Sequence, residues 1–168
     1  MNDVSCNLFV LNSIGIIHSP NKNKAPHQTL DNDQGEFKIV LDKKFVKGLH
    51  LLDNFNYIYV IYYLDKVMRD NKMIISPPWA NQQDVGVFAS RSPNRPNPIG
   101  ISVVKVKKII DNIIYISGID AFDGTPLLDI KPYIDQLDAK SDANYGWVNK
   151  EDNENHLALH IQEIPHKH

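Results

Sequence analysis

Residues 86–104 read G-V-F-A-S-R-S-P-N-R-P-N-P-I-G-I-S-V-V, and the rest of the chain is organised around them. A short apolar run, residues 85–89, enters this stretch, and a longer one, residues 99–106, leaves it. Three of the six residues from 93 to 98 are proline. Proline fixes the backbone and removes an N–H donor, and it biases the preceding residue towards an extended conformation. The sequence therefore predicts a stiff, extended loop between two strands of a core.

The side chains of this loop suit ligand recognition. It carries two arginines and two asparagines, Arg91, Asn94, Arg95 and Asn97. A guanidinium offers a planar fork of donors that matches carboxylates, phosphates and aromatic rings. A loop that is already stiff loses little conformational entropy when it binds a small molecule. Composition alone equally allows a rigid surface loop or a proline-rich docking peptide, although the flanking apolar runs count against the docking peptide.

The composition is that of a globular chain. A length of 168 residues fits one domain, or one domain with an appendage. The net charge of −2 argues against indiscriminate nucleic-acid binding but allows a local basic face. Cys6 is the single cysteine, so we expect neither a disulfide nor a cysteine metal site within the chain. With no long apolar run and no secretion signal, we expect a cytoplasmic protein with no membrane partner and no metal.

Strand signals recur along the whole chain. Runs rich in β-branched and aromatic residues predict strands at residues 8–18, 35–41, 56–64, 85–89, 99–110, 112–120, 127–133 and 157–162. Residues 56–64, N-Y-I-Y-V-I-Y-Y-L, give the strongest of these signals and are expected to be buried on both faces. Residues 45–55 are predicted to form a short helix, and Asp111-Asn112 a tight turn.

These elements predict a mainly β fold, a barrel or a sandwich, with one or two short helices. There is no regular β-α-β alternation and no G-x-G-x-x-G motif, which excludes a doubly wound dinucleotide-binding sheet.

Three motifs carry a resemblance to a known family. They are R-S-P-N-R-P-N-P-I-G at residues 91–100, D-G-T-P-L-L-D-I-K-P-Y at residues 123–133, and I-G-I-I-H-S-P at residues 14–20. Together they resemble the TsaA/TrmO-like family, which contains tRNA methyltransferases that use S-adenosyl-L-methionine (SAM). The resemblance implies a single-domain β-barrel, not a Rossmann methyltransferase. It assigns residues 1–135 to a SAM-binding barrel and residues 136–168 to a polar extension with a last strand and no separate C-terminal domain.

The family resemblance also implies an activity, a substrate and an assembly. The expected reaction adds an N6-methyl group to threonylcarbamoyladenosine (t6A) at tRNA position 37, next to the anticodon. The expected assembly is a homodimer with the site near the subunit interface. The resemblance places the SAM contacts at Ser19, Pro20, Asn21, Asn56, Tyr57, Arg91, Ile101, Asp123, Gly124, Thr125, Pro126 and Leu127.

Methyl transfer to an adenine amine requires in-line geometry and acceptors for the amine hydrogens. The side chain of Asn97 can supply such an acceptor, and Asp123 and Lys131 are the other catalytic candidates. Arg95 is a candidate for binding an RNA phosphate. No metal is needed for this chemistry.

The chain departs from the family at Asn56-Tyr57, where the family usually has a Ser-His pair. Tyrosine can stack and donate a hydrogen bond, but it is not a base near neutral pH. Two alternatives therefore stay open beside the tRNA methyltransferase. One is a SAM-binding or RNA-binding module without catalysis, and the other is a small-molecule methyltransferase on the same scaffold.

Overall fold

Antiparallel strands form the framework of the computed structural model, which describes residues 8–22, 25, 35–67, 70, 72–77 and 83–148. Within these ranges the strands are β1 Gly15–His18, β2 Phe37–Leu41, β3 Tyr57–Tyr63, β4 Ile74–Ile75, β5 Val85–Gly86, β6 Ile99–Ile110, β7 Ile113–Ile116 and β8 Thr125–Pro132. The helical segments are short: α1 is Asp135–Asp138, and the 3₁₀ helices are Lys43–Leu49, Leu52–Asn54, Val87–Ala89 and Gly146–Val148. The prediction of a mainly β chain is confirmed.

Strand β8 closes the main sheet, because it pairs with both β1 and β3. The strand order around the resulting barrel is β1-β2-β7-β6-β3-β8, and every pairing is antiparallel. Strands β4 and β5 form a separate two-stranded sheet. The tight turn predicted at Asp111-Asn112 joins β6 to β7, and Asp111 adopts a positive φ of 53° there.

Alternate side chains of each strand fill the barrel. The interior is aliphatic, and its fully buried members include Ile17, Ile39, Ile58, Val60, Val104, Ile114, Ile116 and Leu127. Burying such side chains stabilises a fold by about 1.5–3 kcal/mol each. This core holds the strand ends, and hence the loops between them, in fixed positions.

The prediction that residues 56–64 are buried on both faces is wrong. Strand β3 alternates, with Ile58, Val60 and Tyr62 inside the barrel and the other residues half-exposed on its outer face. An antiparallel barrel of this size buries one face of each strand. The strong apolar signal therefore combines a core face with an apolar outer face.

Three predicted strands are shorter in the structure. The segment 8–18 is a strand over Gly15–His18, because its partners β2 and β8 begin pairing at Gly15. The segment 85–89 is a strand for two residues and then a 3₁₀ helix, Val87–Ala89. The segment 112–120 is a strand over Ile113–Ile116. Propensity extends these predictions past the point where a partner strand is available.

The remaining predictions have mixed outcomes. The strands predicted at 35–41, 99–110 and 127–133 are present as β2, β6 and β8. The helix predicted at 45–55 is two 3₁₀ segments, Lys43–Leu49 and Leu52–Asn54. The strand predicted at 157–162 lies outside the described residues. Across the described ranges, no helix has the length and apolar character needed to cross a membrane.

Candidate functional site

One end of the barrel gathers most of the motif residues. We call it the site end: there β1 and β3 finish, and β6 and β8 begin. The proline-rich loop ends here, because the amide of Leu64, just after β3, donates to the carbonyl of Pro98 at 2.8 Å. The antiparallel register therefore brings the three motifs, which are far apart in sequence, to one end of the barrel.

Asp123 lies on a sharp turn into β8. The turn is possible because Gly124 adopts a φ of +82°, which glycine tolerates. A Cβ atom at this position would have no neighbour within 4 Å. The amide of Asp123 donates to the carbonyl of Asn21, and the amide of Gly124 donates to that of Ile17, both at 2.9 Å. These bonds fix the turn beside the end of β1 and leave open space next to Gly124.

The carboxylate of Asp123 has an electropositive environment. Its Oδ1 accepts from the amide of Ser19 at 3.3 Å and lies 3.1 Å from Nδ1 of His18. Partial burial raises the pKa of Asp123, but the Ser19 amide, His18 and Lys66 outweigh it and hold the pKa below its ordinary value. The side chain is still about two-fifths exposed, so an ionised carboxylate faces solvent at the site end.

Ser19 and Asn21 join two loops of the site end. Ser19 Oγ donates to the carbonyl of Ala121 at 2.9 Å. Asn21 Nδ2 donates to the carbonyls of Ile119 at 2.9 Å and Ala121 at 3.2 Å. The polar side chains of the S-P-N motif are thus used within the protein, where they hold the segment 117–124 against the end of β1.

The two arginines of the proline-rich loop have different environments. Nη2 of Arg95 donates to the carbonyls of Val87 at 3.0 Å and Ser90 at 3.1 Å. The side chain of Arg91 is exposed and makes no hydrogen bond or ion pair to the residues that the structure describes. Arg95 therefore stabilises the loop, and Arg91 presents its whole guanidinium to solvent.

The expected site residues divide into three groups. The site end holds Ser19, Pro20, Asn21, Asp123, Gly124, Thr125, Pro126 and Leu127, and the loop that leads into it carries Arg91, Arg95 and Asn97. Thr125 and Leu127 are buried in the core, so neither residue offers an exposed group to a ligand. Ile101 lies on the outer face of β6 and is exposed.

Asn56, Tyr57 and Lys131 lie at the opposite end. Tyr57 begins β3, and its carbonyl accepts from the amide of Tyr133 at 3.0 Å. Lys131 is six residues beyond Thr125 along β8, which at the rise of a β-strand is roughly 20 Å. Its Nζ pairs with Asp129 Oδ2 at 2.8 Å. Within one chain, Lys131 and Asp123 therefore cannot act on the same atom.

Several residues at the site end were missed in the sequence. His18 contacts Asp123, and Nζ of Lys66 donates to the carbonyl of Asp123 at 2.6 Å. Tyr62, Ser102 and Asp120 form a hydrogen-bonded group below the site. His18 lies inside the I-G-I-I-H-S-P motif, which gave a usable signal. The other contacts depend on strand register, and the sequence contains no signal that predicts this register.

A separate cleft lies towards the opposite end, next to the 3₁₀ helix Lys43–Leu49. Its volume is about 340 Å³, and its lining includes Phe45, Leu52, Asp129 and Ile130. No expected site residue contributes to it. Among the described ranges, no group of three or more His, Cys, Asp or Glu residues could hold a metal ion.

Comparison with known proteins agrees with this arrangement of motifs. The model of the tRNA-methyltransferase O N-terminal domain matches residues 16–139. The chain belongs to the tRNA-methyltransferase O family. The match covers every strand from β2 to β8 and all three segments of the site end, and it ends shortly after α1.

Individual relatives of the tRNA-methyltransferase O family give the same result. An S-adenosyl-L-methionine-binding protein of Archaeoglobus fulgidus is 37% identical over 132 residues, which are 77% of this chain and 93% of that protein. The tRNA (adenine(37)-N6)-methyltransferase of Escherichia coli is 32% identical, over 83% of this chain and 64% of the enzyme. The crystal structure of TrmO from Pseudomonas aeruginosa superposes with a TM-score of 0.69 at 31% identity, covering 83% of this chain and 62% of that one. This chain thus spans less than two thirds of the two longer proteins.

Proposed function

We propose that this protein binds SAM at the site end and methylates N6 of an adenine in tRNA. One observation carries the proposal: the three family motifs converge at one barrel end, where Asp123 presents an ionised carboxylate to solvent and where the loop that carries the exposed Arg91 leads into β6. The names of the A. fulgidus and E. coli relatives support both the ligand and the reaction.

The residues at the site end fit the chemistry of SAM. The ligand has a carboxylate and an ammonium group at its amino-acid end. The free guanidinium of Arg91 can bind the carboxylate through two donors, and the ionised Asp123 can bind the ammonium group. The open space beside Gly124 lets a ligand approach the backbone closely. Both charges at the amino-acid end of the ligand thus have a counterpart of opposite sign.

Bound SAM would supply an electrophilic methyl group on a sulfonium, whose sulfur keeps the electron pair when the methyl leaves. The protein must hold the adenine amine in line with that bond and accept the proton that the amine loses. The side-chain oxygen of Asn97 is exposed and can accept an amine hydrogen. Asp123 is the other candidate for accepting the proton at the site end, as an alternative to its binding of the ammonium group. Lys131 is too distant to contribute from the same chain.

We further propose that the acceptor is t6A at position 37, beside the tRNA anticodon, and that the protein acts in the cytoplasm. The position agrees with the name of the E. coli relative. Arg95 contributes to RNA binding through the donors that Val87 and Ser90 leave free. A guanidinium has five N–H donors, so a phosphate can still bind to its unused edge.

We also propose a homodimer formed through the outer face of β3 and β6. Ile99, Ile101 and Val103 are exposed there, and Ile61 lies opposite Ile101 in the neighbouring strand. A two-fold axis perpendicular to this face would make the strands of the two copies run in opposite directions. The end of one copy that carries Asn56 and Tyr57 would then approach the site end of the other. This arrangement explains how family ligand positions can lie at opposite ends of one barrel.

Calorimetric titration with SAM, followed by transfer of labelled methyl groups to tRNA, tests this function. We expect one site per chain, and transfer to tRNA that contains t6A but not to tRNA that lacks it. A second candidate, SAM binding without catalysis, is favoured by Asn56-Tyr57 in place of the usual Ser-His pair. Saturable binding with no transfer to modified tRNA would support that candidate. Absence of binding by folded protein, with or without tRNA, would contradict both.

A further inference from the structure

Three polar side chains meet inside the barrel just below the site end. The hydroxyl of Tyr62 lies 3.0 Å from Ser102 Oγ and 3.0 Å from Asp120 Oδ1. Ser102 Oγ also donates to Asp120 Oδ1, at 2.5 Å. Tyr62 is only 2% exposed. The group therefore links β3, β6 and the segment 117–124 through a single carboxylate oxygen.

These groups interrupt an aliphatic core. A buried hydroxyl or carboxylate destabilises a protein unless it is hydrogen-bonded. Aliphatic side chains would fill the same space, as they do elsewhere in the barrel. Stability therefore does not explain the polar group. The segment 117–124, which the group holds in place, provides the explanation.

Asp120 lies in the middle of the segment that carries the site. The carbonyls of its two neighbours, Ile119 and Ala121, accept from Asn21, and Ala121 also accepts from Ser19. Asp123 follows two residues after Ala121. The segment is thus held from one side by β1 and its extension, and from the other side by the hydroxyls of Tyr62 and Ser102.

The hydroxyl of Tyr62 is a donor at physiological pH. Burial and the nearby carboxylate of Asp120 raise the pKa of Tyr62 well above its ordinary value. The ring reaches this position because residue 100, opposite it on β6, is glycine. The donor is therefore permanent, and its direction is fixed by packing.

We propose that Asp120 is a positioning residue for the SAM site, anchored by Tyr62 and Ser102 so that the turn at Asp123 keeps its orientation. The proposal rests on SAM binding at the site end. It names a role for residues that touch no ligand and that act through the segment 117–124. This role differs from a purely structural one, because loss of the Asp120 hydrogen bonds should weaken SAM binding while the fold stays intact.

The test compares Tyr62→Phe and Asp120→Ala with Asp120→Asn. Tyr62→Phe keeps the ring on Gly100 and removes the hydroxyl. We expect Tyr62→Phe to weaken SAM binding roughly fivefold to tenfold, as for loss of one buried hydrogen bond, and Asp120→Ala, which removes two, to weaken it at least as much. Asp120→Asn keeps an oxygen acceptor and should rescue affinity to within about threefold. Ile114→Val is the matched control, since it trims a buried side chain of β7 and should leave affinity unchanged.

Hydrogen exchange gives a readout that does not depend on the ligand. In Tyr62→Phe and Asp120→Ala, the amides of Asp123 and Gly124 should exchange faster, while those of β2 and β7 keep their wild-type rates. Wild-type exchange at these two amides would overturn the proposal whether or not SAM binds. Unchanged SAM affinity in both variants, with a wild type that binds, would also overturn it. A wild type that does not bind SAM would refute the proposed function, and the exchange data would still decide the positioning role.

Discussion

Gly100 and the ring of Tyr62 face each other across β6 and β3, and the ring occupies the space that a side chain at position 100 would need. A Cβ atom built on Gly100 would lie 2.2 Å from Cε2 of Tyr62. Gly100 and Tyr62 are direct partners in the β3–β6 register. The glycine that ends the R-S-P-N-R-P-N-P-I-G motif is thus required by packing inside the barrel.

Gly100→Ala should therefore destabilise the protein strongly. Overpacking a well-filled site typically costs about 1–3 kcal/mol, and we expect the upper part of that range because the clash is with a buried aromatic ring. Chemical denaturation would measure the free energy of unfolding. Gly48→Ala is the matched control, because nothing lies within 4 Å of its Cβ position. Equal stability of the two variants would contradict the packing described for Tyr62.

Arg91→Ala and Arg95→Ala should separate binding from stability. Arg91 makes no bond to the described residues, so its loss should weaken SAM binding tenfold or more, as for a charged hydrogen bond, with the melting temperature unchanged. Arg95→Ala removes the donors to Val87 and Ser90 and should lower the free energy of unfolding by about 1–3 kcal/mol. Calorimetry and thermal unfolding of both variants measure this. If Arg91→Ala instead lowered stability and Arg95→Ala weakened SAM binding, the roles given to the two arginines would be wrong.

The lowered pKa of Asp123 predicts an acid-sensitive contribution to stability. A carboxyl group whose pKa is depressed in the folded state stabilises the protein fully above its ordinary pKa. That contribution is lost as pH falls below 3.8, the ordinary value, through the folded pKa. Unfolding measured from pH 7 to pH 3 should therefore show wild type losing more stability than Asp123→Asn. A difference between them that stays constant across this range would refute the prediction.

His18 offers a second test of the same interaction. Removing it in His18→Ala deletes one of the contacts that lower the pKa of Asp123. The acid transition of that variant should move to higher pH than in wild type. Titration of the Asp123 carboxyl by NMR would show the shift directly, and an unmoved titration would exclude His18 as a cause.

Ile101→Lys should break the proposed homodimer. The residue is 59% exposed on the outer face of β6, and a lysine at the centre of an apolar interface would be buried without a partner. Sedimentation should show a monomer for Ile101→Lys. Ile110→Lys, on the same strand and 48% exposed, is the control and should sediment like wild type. A wild type that is monomeric at high concentration would contradict the dimer itself.

The sequence predicted the elements that carry their own local signal. Strand β2 alternates between buried and half-buried residues, β6 is rich in β-branched residues, and Asp111-Asn112 is a turn that the residues themselves favour. The predictions were wrong about the length of strands that end where a partner strand ends. Residues 8–14 have strand-like composition, but β2 and β8 offer no partner before Gly15.

The site could be predicted from motifs only in part. Asp123 lies at the site end, and Arg91 lies in the loop that leads into it. Lys131 lies at the other end although it belongs to the same motif as Asp123, because that motif runs the full length of β8. The roles of Ser19 and Arg95 could not be predicted, since their acceptors are backbone carbonyls that only the folded register brings within reach.

The backbone of residues 87–90, a rim beside the proline-rich loop, is held by bonds that do not involve the side chain of Phe88. Arg95 bonds to the carbonyls of Val87 and Ser90, and Nε1 of Trp147 donates to the carbonyl of Ala89 at 2.7 Å. Meanwhile the side chain of Phe88 is 79% exposed. Any residue at position 88 would be displayed on the same backbone, so point substitutions can change the surface chemistry beside the site without rebuilding it. New specificities can therefore evolve at this rim one residue at a time.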